Sequence, residues 1–155
     1  MIAAYQGRSL TSRIIQAFNW SCYSHIAWVD EQDGSVIEAW HRGGVSKAPN
    51  MSTNHTPGTS VVMFDVIDET PRHTPLIREF LQAQVGKQYD FAGILGFLIR
   101  SRRLQHDGKW FCSELVAAAY ANAGIPLLNL PAFKIYPGML VSSPRLRHAG
   151  GITTS

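Results

Sequence analysis

Apolar and polar positions alternate or recur along this chain in a way that divides it into short strands and helices. IAAYQ at the N-terminus is a strand candidate, and from Ser9 to Asn19 the residues Leu10, Ile14, Ile15 and Phe18 recur at helical spacing, with Ser9 or Thr11 as the cap. SHIAWVD then alternates, EQDGS supplies a glycine turn, and VIEAW follows, which together predict a β-hairpin. Arg42 to Ser60 is rich in Gly, Ser, Thr, Asn and Pro without periodicity and reads as a long surface loop, a kind of segment that often carries function. SVVMFDVI is apolar on both parities and predicts a strand buried on two faces, central in its sheet. LIREFLQAQVG places Leu76, Ile77, Phe80, Leu81 and Val85 on one stripe and stops at Gly86, while FAGILGFLIRSRR predicts a second helix with a basic end. KWFCSELVAAAYANAGIP predicts an Ala-rich helix with Leu115, Val116, Ala119 and Tyr120 on one face, ending at Gly124, so that Cys112 lies at or just before its N-terminus. From Pro144 onward the sequence is short, polar and glycine-containing, and residues 144–155 are expected to be a flexible tail on a single domain of residues 1–143. Strands and helices of these lengths predict an α+β domain with an antiparallel sheet packed against helices.

Composition narrows the classes. With 155 residues, 45% of them hydrophobic, the chain can bury one substantial core. No apolar run approaches the roughly 18 residues that span a bilayer, so no transmembrane segment is expected. The start MIAAYQGRSL lacks the basic flank, apolar block and small-residue cleavage site of a secretory signal, and a cytoplasmic location is the expectation. A formal charge of +3 is too mild to predict a nucleic-acid partner. The six histidines show no i, i+4 pair, and Cys22 with His25 finds no second pair to complete a zinc site, so neither metal nor cofactor is expected.

Candidate chemistry centres on Cys112. A helix N-terminus favours a thiolate and offers N–H groups to an oxyanion, although a lone cysteine in an apolar setting is more commonly a packed structural residue. A thiolate needs a base, and that base an orienting acceptor. His25 on the first hairpin strand and Glu38 on the second fill these roles only if the hairpin register permits. A connection of four residues, Glu31 to Gly34, pairs Asp30 with Ser35 and Ala27 with Glu38, which puts His25 and Glu38 on one face as diagonal neighbours. A three-residue loop without a bulge would put them on opposite faces. Each residue alone is more ordinarily structural, and their joint placement is what points to catalysis.

The succession YSHIAWVD…GSVIEAW, GKQYDFAGILGF, WFCSELVAAAY and IYPGML…SSP resembles the permuted papain-like amidases of the YaeF/YiiX type, relatives of the NlpC-type cell-wall cysteine peptidases, from about Ile2 to Pro144. The order His, Glu, Cys marks the permutation. The resemblance implies a circularly permuted papain-like fold, Cys112 as nucleophile, His25 as general base, Glu38 at the imidazole-orienting position, and Tyr89 of the G-x-x-Y-D segment with its hydroxyl toward the oxyanion. A packed tyrosine is the equal alternative for Tyr89. Asp90 suits an N-cap, and Ser113 and Glu114 suit the first helical turn rather than rival chemistry.

The implied activity is hydrolysis of an amide or peptide bond, with a cell-wall peptide as the leading substrate and delivery to the wall by another system, as in phage or prophage forms. Lipid-acyl hydrolysis or transfer by the same triad is the alternative, since permuted relatives act on lipid esters. A non-catalytic module binding anions through Arg100, Arg102, Arg103, His106 and Lys109 is the second class, against which stands the absence of interleaved aromatics. Oligomeric state has no sequence signal, and Cys22 is expected to be a buried spectator.

Overall fold

The computed structural model describes residues 1–90 and 109–155. The predicted helix FAGILGFLIRSRR, the helix that Asp90 would cap, and Arg100, Arg102, Arg103 and His106 of the basic cluster lie outside these residues. In chain order the elements are β1 (Ile2–Gln6), α1 (Leu10–Asn19), β2 (His25–Val29), β3 (Val36–Trp40), β4 (Gly44–Ala48), β5 (Ser60–Val66), α2 (His73–Gln84), β6 (Gln88–Tyr89), β7 (Lys109–Trp110), α3 (Cys112–Asn122), a 3-10 turn (Ala132–Lys134), α4 (Pro137–Val141) and β8 (Leu146–Thr153). Six strands form an antiparallel sheet in the order β4-β3-β2-β1-β5-β8, so the α+β expectation holds at this level.

Parity along the strands splits the core. On one face Ile2, Ala4, Ile26, Trp28, Ile37 and Ala39 pack with Ile77 and Leu81 of α2 and Leu115, Val116 and Ala119 of α3. On the other, Ala3, Tyr5, Ala27, Val29, Val36, Val61 and Met63 form a second cluster against which Met51 packs. Both faces of β1 and β2 are thereby buried, which explains why the hairpin is apolar on both parities despite its alternation. Asp30, 3% exposed, holds the end of this hairpin to α2 through a bidentate pair with Arg78 (2.6 and 2.9 Å).

Three expectations change. The region from Arg42 to Ser60 is not all loop, because it contains β4. Gly44, at φ +73°, approaches the Lys87 carbonyl too closely for any Cβ, and backbone bonds from Val45 to Lys87 (2.8 Å) and from Gly86 to Val45 (2.8 Å) cover the edge of the strand. Residues 144–155 are not a flexible tail, because β8 pairs with β5 from Ser60–Thr153 to Val66–Leu146. Its side chains are mostly exposed and include Arg147 and His148, as suits an edge strand, which lacks the apolar alternation that reveals inner strands. β5 is accordingly paired on both sides but stands one place from the edge, with Val61, Met63 and Val66 buried and the remainder half-buried or exposed. It is not central and not buried on two faces; β1 and β2 hold the middle.

Candidate active site

The hairpin brings the first two candidate residues together. Trp28 pairs with Ile37 and Val29 with Val36, and Asp30 and Ser35 continue the same register across the Glu31–Gly34 connection. Glu38 therefore falls on the face of His25. His25 Nε2 lies 2.6 Å from Glu38 Oε2, with the two side chains 8% and 1% exposed. Burial and, above all among the opposing influences, the charge and hydrogen bond of His25 act on Glu38; the histidine and His55 outweigh the desolvation and hold the carboxyl far below its usual range. An ionised carboxylate only accepts, so Nε2 carries a proton and donates.

Cys112 is the first residue of α3, fully buried, on a helix that packs across β2 and β3. Phe111 immediately before it is extended, and the Glu114 carboxylate accepts from the Phe111 N–H at 3.3 Å, half of a capping box that fixes the helix start. At this position the Cys112 N–H has no partner within the helix. The thiol acts on His25. Burial opposes a charge on the imidazole, but the charges of Cys112 and Glu38 and their hydrogen bonds outweigh it and push the ring from 6.5 up to about 10. With Nε2 committed to Glu38, Nδ1 is the ring nitrogen available to the sulfur. Tyr89, also buried, pairs across the small parallel ladder with Trp110, and its hydroxyl is held protonated by burial and then by the charges of Cys112 and Asp90. The structure thus gathers Cys112, His25, Glu38 and Tyr89 in one place. Ser113 faces away, donating to the Ile135 carbonyl at 2.6 Å.

Two residues that sequence reasoning passed over complete the site. Asn54 Nδ2 donates to Glu38 Oε1 (2.7 Å), and His55 Nε2 lies 3.2 Å from Glu38 Oε2. His55 stacks on Tyr5, with ring centroids 3.7 Å apart and planes 12° off parallel, and burial depresses its pKa despite the carboxylate. Trp40 meets the His25 ring edge-on at 5.1 Å. Asn54 and His55 come from the stretch from Arg42 to Ser60, whose composition and length marked it as a long loop of a functional kind without singling out either residue. Beside them lies an open cleft of about 650 Å³, lined by Trp40, Arg42, Ser46, Asn54, His55 and Thr56 among others. Cys22 is exposed rather than buried, because it sits in the surface connection between α1 and β2, and both cysteines are free thiols.

His25, Glu38 and His55 also form a potential metal-ligand set, with donor atoms within 4.8 Å of one another. Two imidazoles and a carboxylate suit zinc chemically. Bonds of about 2.0–2.1 Å in tetrahedral geometry, however, set ligand atoms roughly 3.3 Å apart. The 2.6 Å contact between His25 and Glu38 is a hydrogen-bond distance, and the pair must separate to admit an ion.

No protein-family model matches the chain, and no curated protein matches it. Five chains of solved structures do. Among them is the crystal structure of YiiX from Escherichia coli O157:H7, described as a metalloprotein of DUF1105, which superposes with a TM-score of 0.72 over 96% of this chain and 94% of its own at 19% identity. The chain has the fold of YiiX. At that identity the likeness to YiiX concerns architecture, and the chemistry of the present site rests on its own side chains.

Proposed function

We propose that this protein is a cysteine hydrolase of the permuted papain-like type, cleaving an amide or peptide bond through Cys112, His25 and Glu38. The observation that carries the reading is the buried chain of contacts from a helix-start cysteine to an imidazole whose far nitrogen is fixed on a carboxylate at 2.6 Å. Cys112 Sγ attacks the carbonyl carbon, and its proton resides on His25 Nδ1. The carbonyl oxygen takes the negative charge and is met by the Cys112 N–H, with the Tyr89 hydroxyl, kept protonated beside the sulfur, as second donor. His25 then protonates the leaving amine, leaving a thioester on Cys112. Water, deprotonated by His25, releases the acid and restores the thiolate–imidazolium pair. Glu38 holds the imidazole in one tautomer and stabilises its charge throughout.

The cleft beside Trp40 and His55 combines polar side chains with an aromatic one, which suits a peptide-like substrate, and a cell-wall stem peptide is the substrate that the sequence resemblance implies. Incubating the purified protein with defined peptidoglycan fragments and, separately, phospholipids, with products read by mass spectrometry, tests the choice. New amine and carboxylate termini support it. Fatty-acid release without amide cleavage overturns it in favour of lipid-acyl chemistry.

A second reading is favoured by the His25, Glu38 and His55 donor set together with the description of YiiX as a metalloprotein. A divalent ion there would supply Lewis acidity or an activated water, and it would take the nitrogen and oxygen atoms that orient the imidazole in the triad. Metal analysis of the protein, paired with activity before and after chelation, separates the two. The cysteine reading predicts activity that survives metal removal.

A further inference from the structure

Helix α1 is amphipathic in the usual sense but is mounted with its apolar side outward. Ser9 caps it, its Oγ accepting from the Ser12 N–H at 3.1 Å, and the side turned to the protein carries Ile15 and Asn19 with Ser12 and Gln16 beside them. Leu10, Ile14 and Phe18, spaced four apart on the opposite side, are 76%, 45% and 54% exposed. Trp20, which ends the helix, is 95% exposed and has a left-handed backbone (φ 50°), a conformation that a bulky residue adopts at a cost and that glycine or asparagine takes readily. An aromatic ring held there in full contact with water points to something that receives it. Arg13 on the helix and Arg8 just before its cap are exposed, and no Asp or Glu occurs before Asp30.

We propose that the α1 face formed by Leu10, Ile14, Phe18 and Trp20 docks on an anionic membrane surface. An interfacial helix needs an apolar stripe that enters the acyl boundary, an aromatic residue at headgroup depth and cations that meet lipid phosphates. The stripe, Trp20 and the exposed Arg13 supply these three, and no Asp or Glu occurs in the first 29 residues. Charge also decides against a second copy seated on the same face, since face-to-face pairing sets Arg13 against Arg13 with no local acid to relieve it. The helix spans only ten residues, so attachment is reversible and weakened by salt. Trp20 to Ser24 is the whole connection from α1 to His25, so the docking face and the candidate site are neighbours along the chain. The inference does not depend on the cysteine chemistry.

Vesicle flotation tests it with the full chain, on phosphatidylcholine alone and on phosphatidylcholine with phosphatidylglycerol, at low and high salt. The expected result is binding to the anionic vesicles that falls at high salt, falls roughly tenfold or more in the double variant Leu10→Ser/Phe18→Ser, and falls in Trp20→Ser. Arg13→Gln weakens binding and flattens its salt dependence. These side chains are exposed, and unchanged thermal unfolding verifies that the variants fold. Failure of the wild type to float with anionic vesicles overturns the proposal, as does flotation indifferent to Leu10→Ser/Phe18→Ser. A concentration-dependent dimer in light scattering that the same double substitution abolishes also overturns it, by assigning the face to a second copy.

Discussion

Glu38 is the most constrained side chain of the site. One oxygen accepts from Asn54 and the other from both His25 and His55, so the carboxylate cannot rotate without breaking a bond. Glu38→Gln removes the charge and offers an amide N–H toward imidazoles that are themselves donors. In the proposed mechanism its expected effect is a fall in kcat of about 10²-fold or more with little change in KM, measured on any amide substrate the protein turns over. An unaltered kcat would remove Glu38 from the mechanism. In the proposed mechanism His55 and Asn54 act through Glu38 as positioning residues. His55→Gln can keep a donor near Nε2 and should retain most activity, whereas His55→Phe keeps the stack on Tyr5 but loses the donor and should lower kcat roughly tenfold. If the two variants behave alike, His55 serves packing only. Asn54 and His55 were illegible in the sequence because their partner is 16 and 17 positions away and no strand parity or helix spacing relates them.

At the scale of elements, the hairpin and α3 were readable because each is governed by local rules. A four-residue connection fixes strand parity, and parity alone places Glu38 with His25. The Phe-Cys-Ser-Glu run sets a helix start, and the observed α3 begins at Cys112 and ends before Gly124, whose φ is +84°. β4 and β8 escaped because Ser46, Lys47, Arg147 and His148 break the apolar pattern at the two edges of the sheet, where neighbours rather than burial define a strand. α1 was readable as a helix, but the direction of its apolar stripe was not, since periodicity does not say which side meets the core. β8 yields a prediction of its own. Deleting residues 146–155 uncovers the edge of β5 and removes the bond from the Thr59 N–H to Thr154 Oγ1 (3.0 Å), so the midpoint of thermal or urea unfolding should fall by several degrees or an equivalent shift, with a greater tendency to aggregate. An unchanged midpoint would mean that β8 contributes nothing to stability.

For the molecule as a whole, buried charge makes stability depend on pH from both sides. His25, raised to about 10, binds its proton more tightly when folded, so its contribution is complete below 6.5 and is lost as pH rises toward 10. Glu114, raised to about 7 by burial and by the charge of Asp90 against the Phe111 hydrogen bond, behaves likewise, with its contribution lost between 4.5 and about 7. Glu38 and His55, both lowered, contribute above 4.5 and 6.5 respectively and lose that contribution as pH falls. Unfolding midpoints should therefore decline toward both extremes. Glu114→Gln should remove the part of the alkaline decline that is complete by about 7 and leave the part that runs to about 10. A profile unmoved by that substitution would assign the decline elsewhere.

The contact between Cys112 and His25 is the centre of the account, and the reactivity of one sulfur tests it most directly. In a Cys22→Ser background, which removes the exposed thiol, the rate of Cys112 alkylation by iodoacetamide at neutral pH can be followed by intact-mass spectrometry with and without His25→Ala. Shortening the histidine opens space around a buried sulfur and on its own would speed the reaction. The account predicts the opposite, a rate at least tenfold lower without the imidazole, because the thiolate loses its counter-ion. An equal or faster rate in the His25→Ala protein would contradict it.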